Sequence, residues 1–244
     1  MSGVDGNLSG GLNDVEAAVN SLVDRIFGSL QPIATAMQTQ WNRLEVAGCA
    51  PRSVDLAVLR DVVIGELQPQ GQSFNSISVV VADGVLADCP RYLEWWRSDH
   101  KNGGPAQNVS LDLNPTNEHL DDYTALEWYA VPRDRGIRWV SGPYLDYTGG
   151  YIYVCTFAVP VTTRRGAFLG IVRADVPVAR LDAALLPAFT AGSLALALAN
   201  AEGRVIVTNH ADHMPGCKIR NGAAGMPRPV ASTPWSLVPL DSER

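Results

Sequence analysis

The pattern that most constrains the fold is a series of apolar residues spaced three or four positions apart near the start of the chain. This spacing places the side chains on one face of a long α-helix, and it comprises Val15, Val19, Leu22, Ile26, Leu30, Ile33, Met37, Trp41 and Leu44. Asn13 or Asp14 is the expected N-cap, and Pro32 can kink the helix. Such a helix either covers a sheet of its own molecule or pairs with a second copy. A homodimer through the N-terminal helix is therefore one of two open interpretations.

A second helix is predicted from Ser53 to Leu67, and the apolar period then changes to two. Strands are predicted at 76–82, 108–113, 137–141, 151–161, 167–176, 194–199, 204–208 and 235–238, with a helix at 178–189. Asp83-Gly84 has the composition of a hairpin turn. Helices followed by hairpin-connected strands predict an α+β fold, a PAS-like antiparallel sheet flanked by helices. We expect a flexible N-terminus at 1–12 and a single ligand-binding domain at 13–244.

The composition limits the classes of function. The chain has 244 residues, of which 46% are hydrophobic and 18% charged, as in globular proteins. A formal net charge of −6 without a basic stripe argues against nucleic-acid binding. No apolar run approaches the roughly 20 residues that span a bilayer, and the first residues lack the features of a signal peptide. We therefore expect a cytoplasmic protein without membrane contact.

The sequence lacks the usual catalytic motifs. It contains no G-x-S-x-G elbow, phosphate-binding loop, G-x-G-x-x-G or H-E-x-x-H, so we expect no catalytic residue and no cofactor. His210, His213 and Cys217 have metal-ligand chemistry but lie in a Pro/Gly-rich loop. A solvated polar loop is the main interpretation, and whether the two histidines bind a metal stays open.

The aromatic residues are concentrated in the middle of the chain. Of the six tryptophans and seven tyrosines, all but Trp41 and Trp235 lie between residues 92 and 153. Side chains with an apolar body and a polar tip often line cavities that bind small molecules, although a Tyr/Trp-rich core is the alternative. Tyr144 and Asp146 are two residues apart and point the same way in an extended strand.

Two stretches resemble the core of the Cache sensor domains: "EWYAVPRDRGIRWVSGPYLDYTGGYIYVCTFAVPV" at 127–161 and "GAFLGIVRADVPVARLDAAL" at 166–185. Cache domains are PAS-like extracellular or periplasmic ligand-binding modules of bacterial chemoreceptors and sensor kinases. The shared motifs are Trp128-Tyr129, Pro143-Tyr144-Leu145-Asp146, Pro160-Val161 and the segment from Gly170 to Asp175. The resemblance identifies the chain as similar to this family, and we expect a free-standing soluble member.

The resemblance implies a binding module without chemistry of its own. In amino-acid-binding members, an arginine two residues before the tryptophan holds the ligand carboxylate. Leu126 occupies that position here, so the clamp is missing unless Arg133, Arg138 or Arg173 replaces it. An acid-rich wall then favours an amine or amino-acid-like metabolite. Together with the aromatic cluster, the resemblance gives the predicted ligand-binding residues Trp96, Tyr123, Trp128, Tyr129, Tyr144, Asp146, Arg173 and Asp175.

Other interpretations of the same residues stay open. In an alternative interpretation, Asp146 caps a hairpin turn, and Asp175 has a structural role near the start of a helix. A small hydrolase or lyase acting on a nitrogenous metabolite would use Asp146 or Asp175 as a base, with a metal at His210 and His213. A purely structural partner protein would have a fully packed aromatic core. We favour a small-molecule sensor whose signal passes through a homodimer or a separate signalling partner.

Overall fold

The computed structural model describes residues 2–67, 74–99, 104–109, 122–147, 151–219 and 224–241, with side chains from residue 11 onward. The α-helices within these ranges are α1 (Ser2–Val46), α2 (Arg60–Leu67), α3 (Glu127–Arg135) and α4 (Val178–Thr190). The strands are β1 (Ser76–Val81), β2 (Tyr92–Asp99), β3 (Gly104–Val109), β4 (Trp139–Asp146), β5 (Ile152–Thr162), β6 (Phe168–Pro177), β7 (Leu196–Ala199), β8 (Val205–Thr208), β9 (Arg228–Pro229) and β10 (Ser236–Pro239). Short 3₁₀ turns precede α2, at Ser53–Leu59, and α3, at Tyr123–Ala125.

The strands form two sheets. The larger has the order β3-β2-β1-β6-β5-β4 and the smaller the order β8-β7-β10-β9. β1 pairs antiparallel with both β2 and β6, and β10 pairs antiparallel with β7 and β9. The predicted α+β fold, with an antiparallel sheet, flanking helices and a long N-terminal helix, is confirmed.

The chain forms two compact units, each assembled from separate parts of the sequence. We call the unit of Phe27–Trp139 and Thr156–Asp175 the central unit. The terminal unit comprises Met1–Ile26, Val140–Cys155 and Val176–Arg244. A single ligand-binding domain over 13–244 stays a prediction.

The N-terminal helix begins earlier than the sequence pattern predicts, at Ser2 rather than Asn13. Residues 1–12 contain glycines but no proline. Glycine lowers helix propensity by about 1 kcal/mol per residue, whereas proline removes a backbone hydrogen bond outright. Further along α1 the apolar face is buried as its spacing predicts, with Leu30, Ile33 and Met37 fully inaccessible.

The sequence pattern does not predict β2 or the short strand β9. Only Trp95 and Trp96 are buried within β2, so its burial does not alternate along the strand. Asp83-Gly84 forms the predicted turn, in which the Val85 amide donates to the Ala82 carbonyl over 3.3 Å, but this turn is only the first part of the longer connection 82–91 between β1 and β2. Arg91 stabilises this connection by donating from Nε to Oδ2 of Asp83 over 2.9 Å. β3 begins at Gly104, before the predicted start at residue 108, and residues 110–113 of the predicted strand lie outside the described residues.

Candidate functional site

One face of the sheet in the central unit carries several chemically versatile side chains. Ser78 of β1 lies opposite Trp95 of β2 and Arg173 of β6. Residues directly opposite each other in paired strands point to the same side, and so do residues two positions apart. The register therefore defines a set that we call the polar face: Ser76, Ser78, Trp95, Arg97, Arg173 and Asp175.

Asp175 is buried on this face, with 3% of its surface exposed. Its Oδ2 accepts a hydrogen bond from the Ser76 hydroxyl and its Oδ1 accepts one from the Thr156 hydroxyl, both 2.6 Å long. Nη1 of Arg173 lies 3.5 Å from Oδ1, at the limit of a hydrogen bond. Both carboxylate oxygens thus accept bonds from side chains of this chain, which fixes the orientation of Asp175.

Arg173 lies beside Asp175 with 11% of its side chain exposed. Its guanidinium carbon is 4.2 Å from the centroid of the Trp128 ring, which is close for a cation–π contact. Nε of Arg173 is buried and has no hydrogen-bond partner among the described residues. Buried polar groups in folded proteins are rarely left unsatisfied. Arg173 therefore retains hydrogen-bonding capacity that the described part of the chain does not use.

Arg133 and Arg138, the other two arginines considered as replacements for the missing clamp, contact other residues. Arg133 packs over the Tyr129 ring and pairs with Asp134 at 2.7 Å, with 39% of its side chain exposed. Arg138 packs over Phe27 of α1 at 4.6 Å. Sequence reasoning missed Arg97, whose guanidinium lies 5.0 Å from the Trp95 ring centroid. Trp95 and Arg97 are two positions apart and therefore share one face of a strand. This spacing would have indicated Arg97 if β2 had been predicted from the sequence.

Three predicted aromatic residues, Tyr123, Trp128 and Tyr129, form one cluster in the central unit. The rings of Tyr123 and Trp128 stack with centroids 6.0 Å apart, and Tyr129 meets both of them edge to face. The cluster also contains Val80 and Ile171. Val80 lies two positions after Ser78 on β1, and Ile171 lies two positions before Arg173 on β6. Both therefore lie on the same side of the sheet as the polar face. The aromatic cluster thus packs on the apolar end of that same face.

The aromatic cluster is held in place by the backbone geometry at Gly170 and by the cationic side chain of Arg91. Gly170 has φ +145°, and a Cβ there would collide with the backbone carbonyl oxygen of Val80. The absence of a side chain thus permits β6 to approach β1 closely. Arg91 stacks 5.6 Å from the Tyr123 ring and forms ion pairs with Asp83 and Asp122. Burial raises the pKa of Tyr123 to about 12, and its hydroxyl has no hydrogen-bond partner within the described ranges.

Trp96 is placed apart from the other predicted residues of the central unit. It is paired with Ile77 and so points to the opposite side of the sheet from Trp95. Its Nε1 donates to Oε1 of Glu94 over 2.9 Å, and Tyr92 donates to the other oxygen of Glu94 over 2.9 Å. The structure therefore brings Trp95, rather than Trp96, together with Arg173.

Tyr144 and Asp146 lie on β4 in the terminal unit, and both are partly buried. The other six predicted residues all belong to the central unit. A ligand contact of Tyr144 and Asp146 stays a prediction, and the arrangement described above is carried by the central unit alone.

His210 and His213 lie in the terminal unit, with their Nδ1 atoms 3.4 Å apart. The Asp212 amide donates to Nδ1 of His210, whose Nε2 lies 3.0 Å from the Asp241 carbonyl oxygen. His213 and Cys217 border an open cavity of about 860 Å³. Within the part of the chain that the structure describes, no group of three or more His, Cys, Asp or Glu residues is placed to hold a metal ion.

Comparisons with known proteins agree with the fold. A family model described as "Methyl-accepting chemotaxis protein-like, first PDC sensor domain" matches residues 99–183. The solved structure titled "Methyl-accepting Chemotaxis protein X" is 17% identical, with a TM-score of 0.63 and coverage of 95% of this chain and 97% of that chain. The periplasmic sensory domain of the Campylobacter jejuni chemoreceptor Tlp1 is 9% identical, with a TM-score of 0.61 and coverage of 94% and 91%.

A third similar structure is the extracellular domain of a protein described as a histidine kinase, mmHK1S-Z3. It is 15% identical, with a TM-score of 0.59 and coverage of 94% of this chain and 93% of that chain. No curated protein matches the sequence. The resemblance to Cache-type sensor domains is confirmed: residues 99–183 match a chemoreceptor sensor model, and the chain has the fold of such domains.

The predicted cytoplasmic location is wrong. The proteins with this fold are described as periplasmic or extracellular sensor domains. The prediction rested on composition and on the first residues, and an acidic chain without long apolar runs is compatible with either side of a membrane. Among the described residues, no helix has the length and apolar character that a membrane span requires.

Proposed function

We propose that this chain is the extracytoplasmic sensor domain of a signalling protein and that it binds a small amine or amino-acid-like metabolite at the polar face. The observation that carries the proposal is that Arg97, Arg173 and Asp175 share one sheet face beside the cluster of Tyr123, Trp128 and Tyr129. A face with both signs of charge suits a zwitterion, and aromatic walls suit a small organic body.

The alternative of a purely packed core explains the polar face poorly. A core gains stability from apolar burial and leaves few polar groups unsatisfied. The Arg173 Nε, the Ser78 hydroxyl and the Tyr123 hydroxyl are all buried without a hydrogen-bond partner in the described ranges. Three such groups within one unit favour a site whose polar atoms are completed by a bound molecule.

The test is a ligand screen on the purified chain with a matched pair of variants. We expect at least one compound from a panel of L-amino acids and small amines to raise the melting temperature and to bind in calorimetry. Ser78→Leu adds volume in the middle of the polar face and should abolish that shift. Val79→Leu adds side-chain volume on the opposite face of β1 and should keep it. The proposal fails if no compound binds, or if Ser78→Leu binds as well as Val79→Leu.

We further propose that the signal leaves the domain through a homodimer along α1 or through a separate signalling partner. α1 spans 45 residues, and its outer side exposes the small residues Ala17, Ser21 and Gly28, which allow close helix approach. Sedimentation of the full chain tests the dimer. Gly28→Arg should shift a dimer toward monomer. A wild-type chain that is monomeric at about 0.1 mM would contradict the homodimer.

A further inference from the structure

We infer that Arg173 binds a carboxylate group of the ligand, and that Asp175 contributes to binding by positioning Arg173. The inference rests on the proposed function and narrows it from amines and amino acids to ligands that carry an acid group. It assigns the role of an anion clamp to a strand of the sheet, whereas the resemblance places that role at the position of Leu126, next to α3. Leu126 itself is 46% exposed and has no charge.

The pairing of Arg173 supports an anionic ligand group. Arg173 is nearly buried, and it contacts the carboxylate of Asp175. Asp175 is already bound by the hydroxyls of Ser76 and Thr156, so it compensates Arg173 only through the long 3.5 Å contact. A buried guanidinium whose N–H groups are only partly hydrogen-bonded is destabilising. A ligand carboxylate would accept hydrogen bonds from the N–H groups that Asp175 leaves unpaired.

The acids of the neighbouring elements are committed elsewhere. Asp122, in the turn before α3, pairs with Arg91, and Asp134 of α3 pairs with Arg133. Glu127, in the first turn of α3, is exposed. Glu94 of β2 accepts from Tyr92 and Trp96 on the opposite side of the sheet. These four acids therefore leave the guanidinium edge of Arg173 for another anion.

The geometry of Arg173 favours a two-point contact. Trp128 covers the guanidinium at 4.2 Å and so restricts its orientation. Nε has no partner among the described residues, and Nη1 makes only the long contact to Asp175. Arginine binds carboxylates through two parallel N–H groups, an arrangement that an ammonium group does not reproduce. Asp175, held by two short hydrogen bonds, keeps Arg173 from rotating away.

The experiment compares acids with their uncharged analogues. Each L-amino acid is measured by calorimetry alongside its carboxamide and the amine that lacks the carboxyl group, with the wild-type chain and with Arg173→Lys. We expect the best acid to bind the wild type at least about tenfold more tightly than its amide. Arg173→Lys should weaken binding of that acid by about 10- to 100-fold and change binding of the amide by less than about threefold. Arg133→Lys is the matched control and should leave both unchanged.

The positioning role of Asp175 has its own readout. Asp175→Asn should weaken binding of the acid in the wild-type background but have little further effect in Arg173→Lys, because the two residues act as one unit. Independent, additive losses would overturn the positioning role.

The remaining outcomes separate this inference from the proposed function. Equal binding of acid and amide by the wild type overturns the inference without requiring any variant to fold. Equal weakening of acid and amide by Arg173→Lys shows a structural role and also overturns it. Binding of amines alone rejects the carboxylate clamp and leaves the proposed function standing. If no member of the panel binds, the proposed function fails and the inference with it.

Discussion

The guanidinium of Arg173 lies 4.2 Å from the centroid of the Trp128 ring. Arg173 comes from β6 within the sheet, and Trp128 comes from α3, in the segment that packs on the sheet face. The contact therefore links the charged side chains of the polar face to the aromatic cluster that packs on that face.

Asp175→Ala is expected to lower the free energy of unfolding by about 2–4 kcal/mol. The substitution leaves the buried hydroxyls of Ser76 and Thr156 without their acceptor and Arg173 without its nearest carboxylate. Urea denaturation measures the loss. Asp134→Ala is the control, because that ion pair is exposed and screened by solvent and should contribute much less to stability. Equal losses in the two variants would contradict the buried network.

Tyr123→Phe is expected to leave the free energy of unfolding at neutral pH unchanged or slightly higher. The variant removes a buried hydroxyl that has no hydrogen-bond partner among the described residues. Urea denaturation near pH 7.5 tests this, with Tyr151→Phe, which changes a 74% exposed side chain, as the control. A loss above about 1 kcal/mol would show that the hydroxyl is bonded in solution.

The same tyrosine predicts an alkaline dependence of stability. Burial raises the pKa of Tyr123 from 10.0 to about 12, so the folded state holds its proton more tightly than the unfolded state. The resulting stabilisation is fully present below pH 10 and is lost as the pH rises through 12. Between about pH 8 and pH 11, the wild type should therefore lose more stability than Tyr123→Phe. Parallel losses in urea titrations would contradict the raised pKa.

The adjacent residues Trp95 and Trp96 are expected to respond differently to substitution. Trp95→Phe alters the polar face and should change ligand affinity, whereas Trp96→Phe removes the hydrogen bond to Glu94 on the other face. The second variant should lower the free energy of unfolding by about 1–2 kcal/mol and leave affinity within about twofold. Calorimetry and urea denaturation on both variants distinguish these effects. If Trp96→Phe rather than Trp95→Phe changed the affinity, the ligand would bind on the opposite face of the sheet.

The four cysteines are expected to react at different rates with a thiol reagent near pH 8. Cys49 and Cys217 are exposed free thiols, whereas Cys155 is fully buried and burial raises its pKa well above the ordinary range. The thiolate is the reactive species. Cys49 and Cys217 should therefore react at once, the half-buried Cys89 more slowly, and Cys155 only after unfolding, with Cys155→Ser as the control that removes the slowest phase. Rapid labelling of Cys155 in the folded chain would contradict its burial.

The period of the apolar residues determined much of the fold. The three-to-four spacing from Val15 to Leu44 produced α1, and the period of two after residue 75 produced β1 of the sheet. The motifs around Trp128 and Asp175, which lie in α3 and β6 respectively, indicated a sensor fold through their resemblance to Cache domains. These signals are local, so they can be read without knowing which strands pair.

Only the tertiary structure decided which residues share the site. Trp95 and Trp96 point to opposite faces because they are adjacent in one strand, but only the pairing of β2 with β1 and of β1 with β6 brings Trp95, and not Trp96, to the face of Arg173. The same pairing brings Arg97 to the polar face, although its sequence context does not show a strand. The hydrogen bonds of Asp175 also depend on the tertiary structure, because Ser76 and Thr156 lie 99 and 19 residues away in sequence and meet it only after the sheet forms. Local periodicity determines which face a residue takes within its own strand, whereas hydrogen-bond register between distant strands determines which side chains meet on that face.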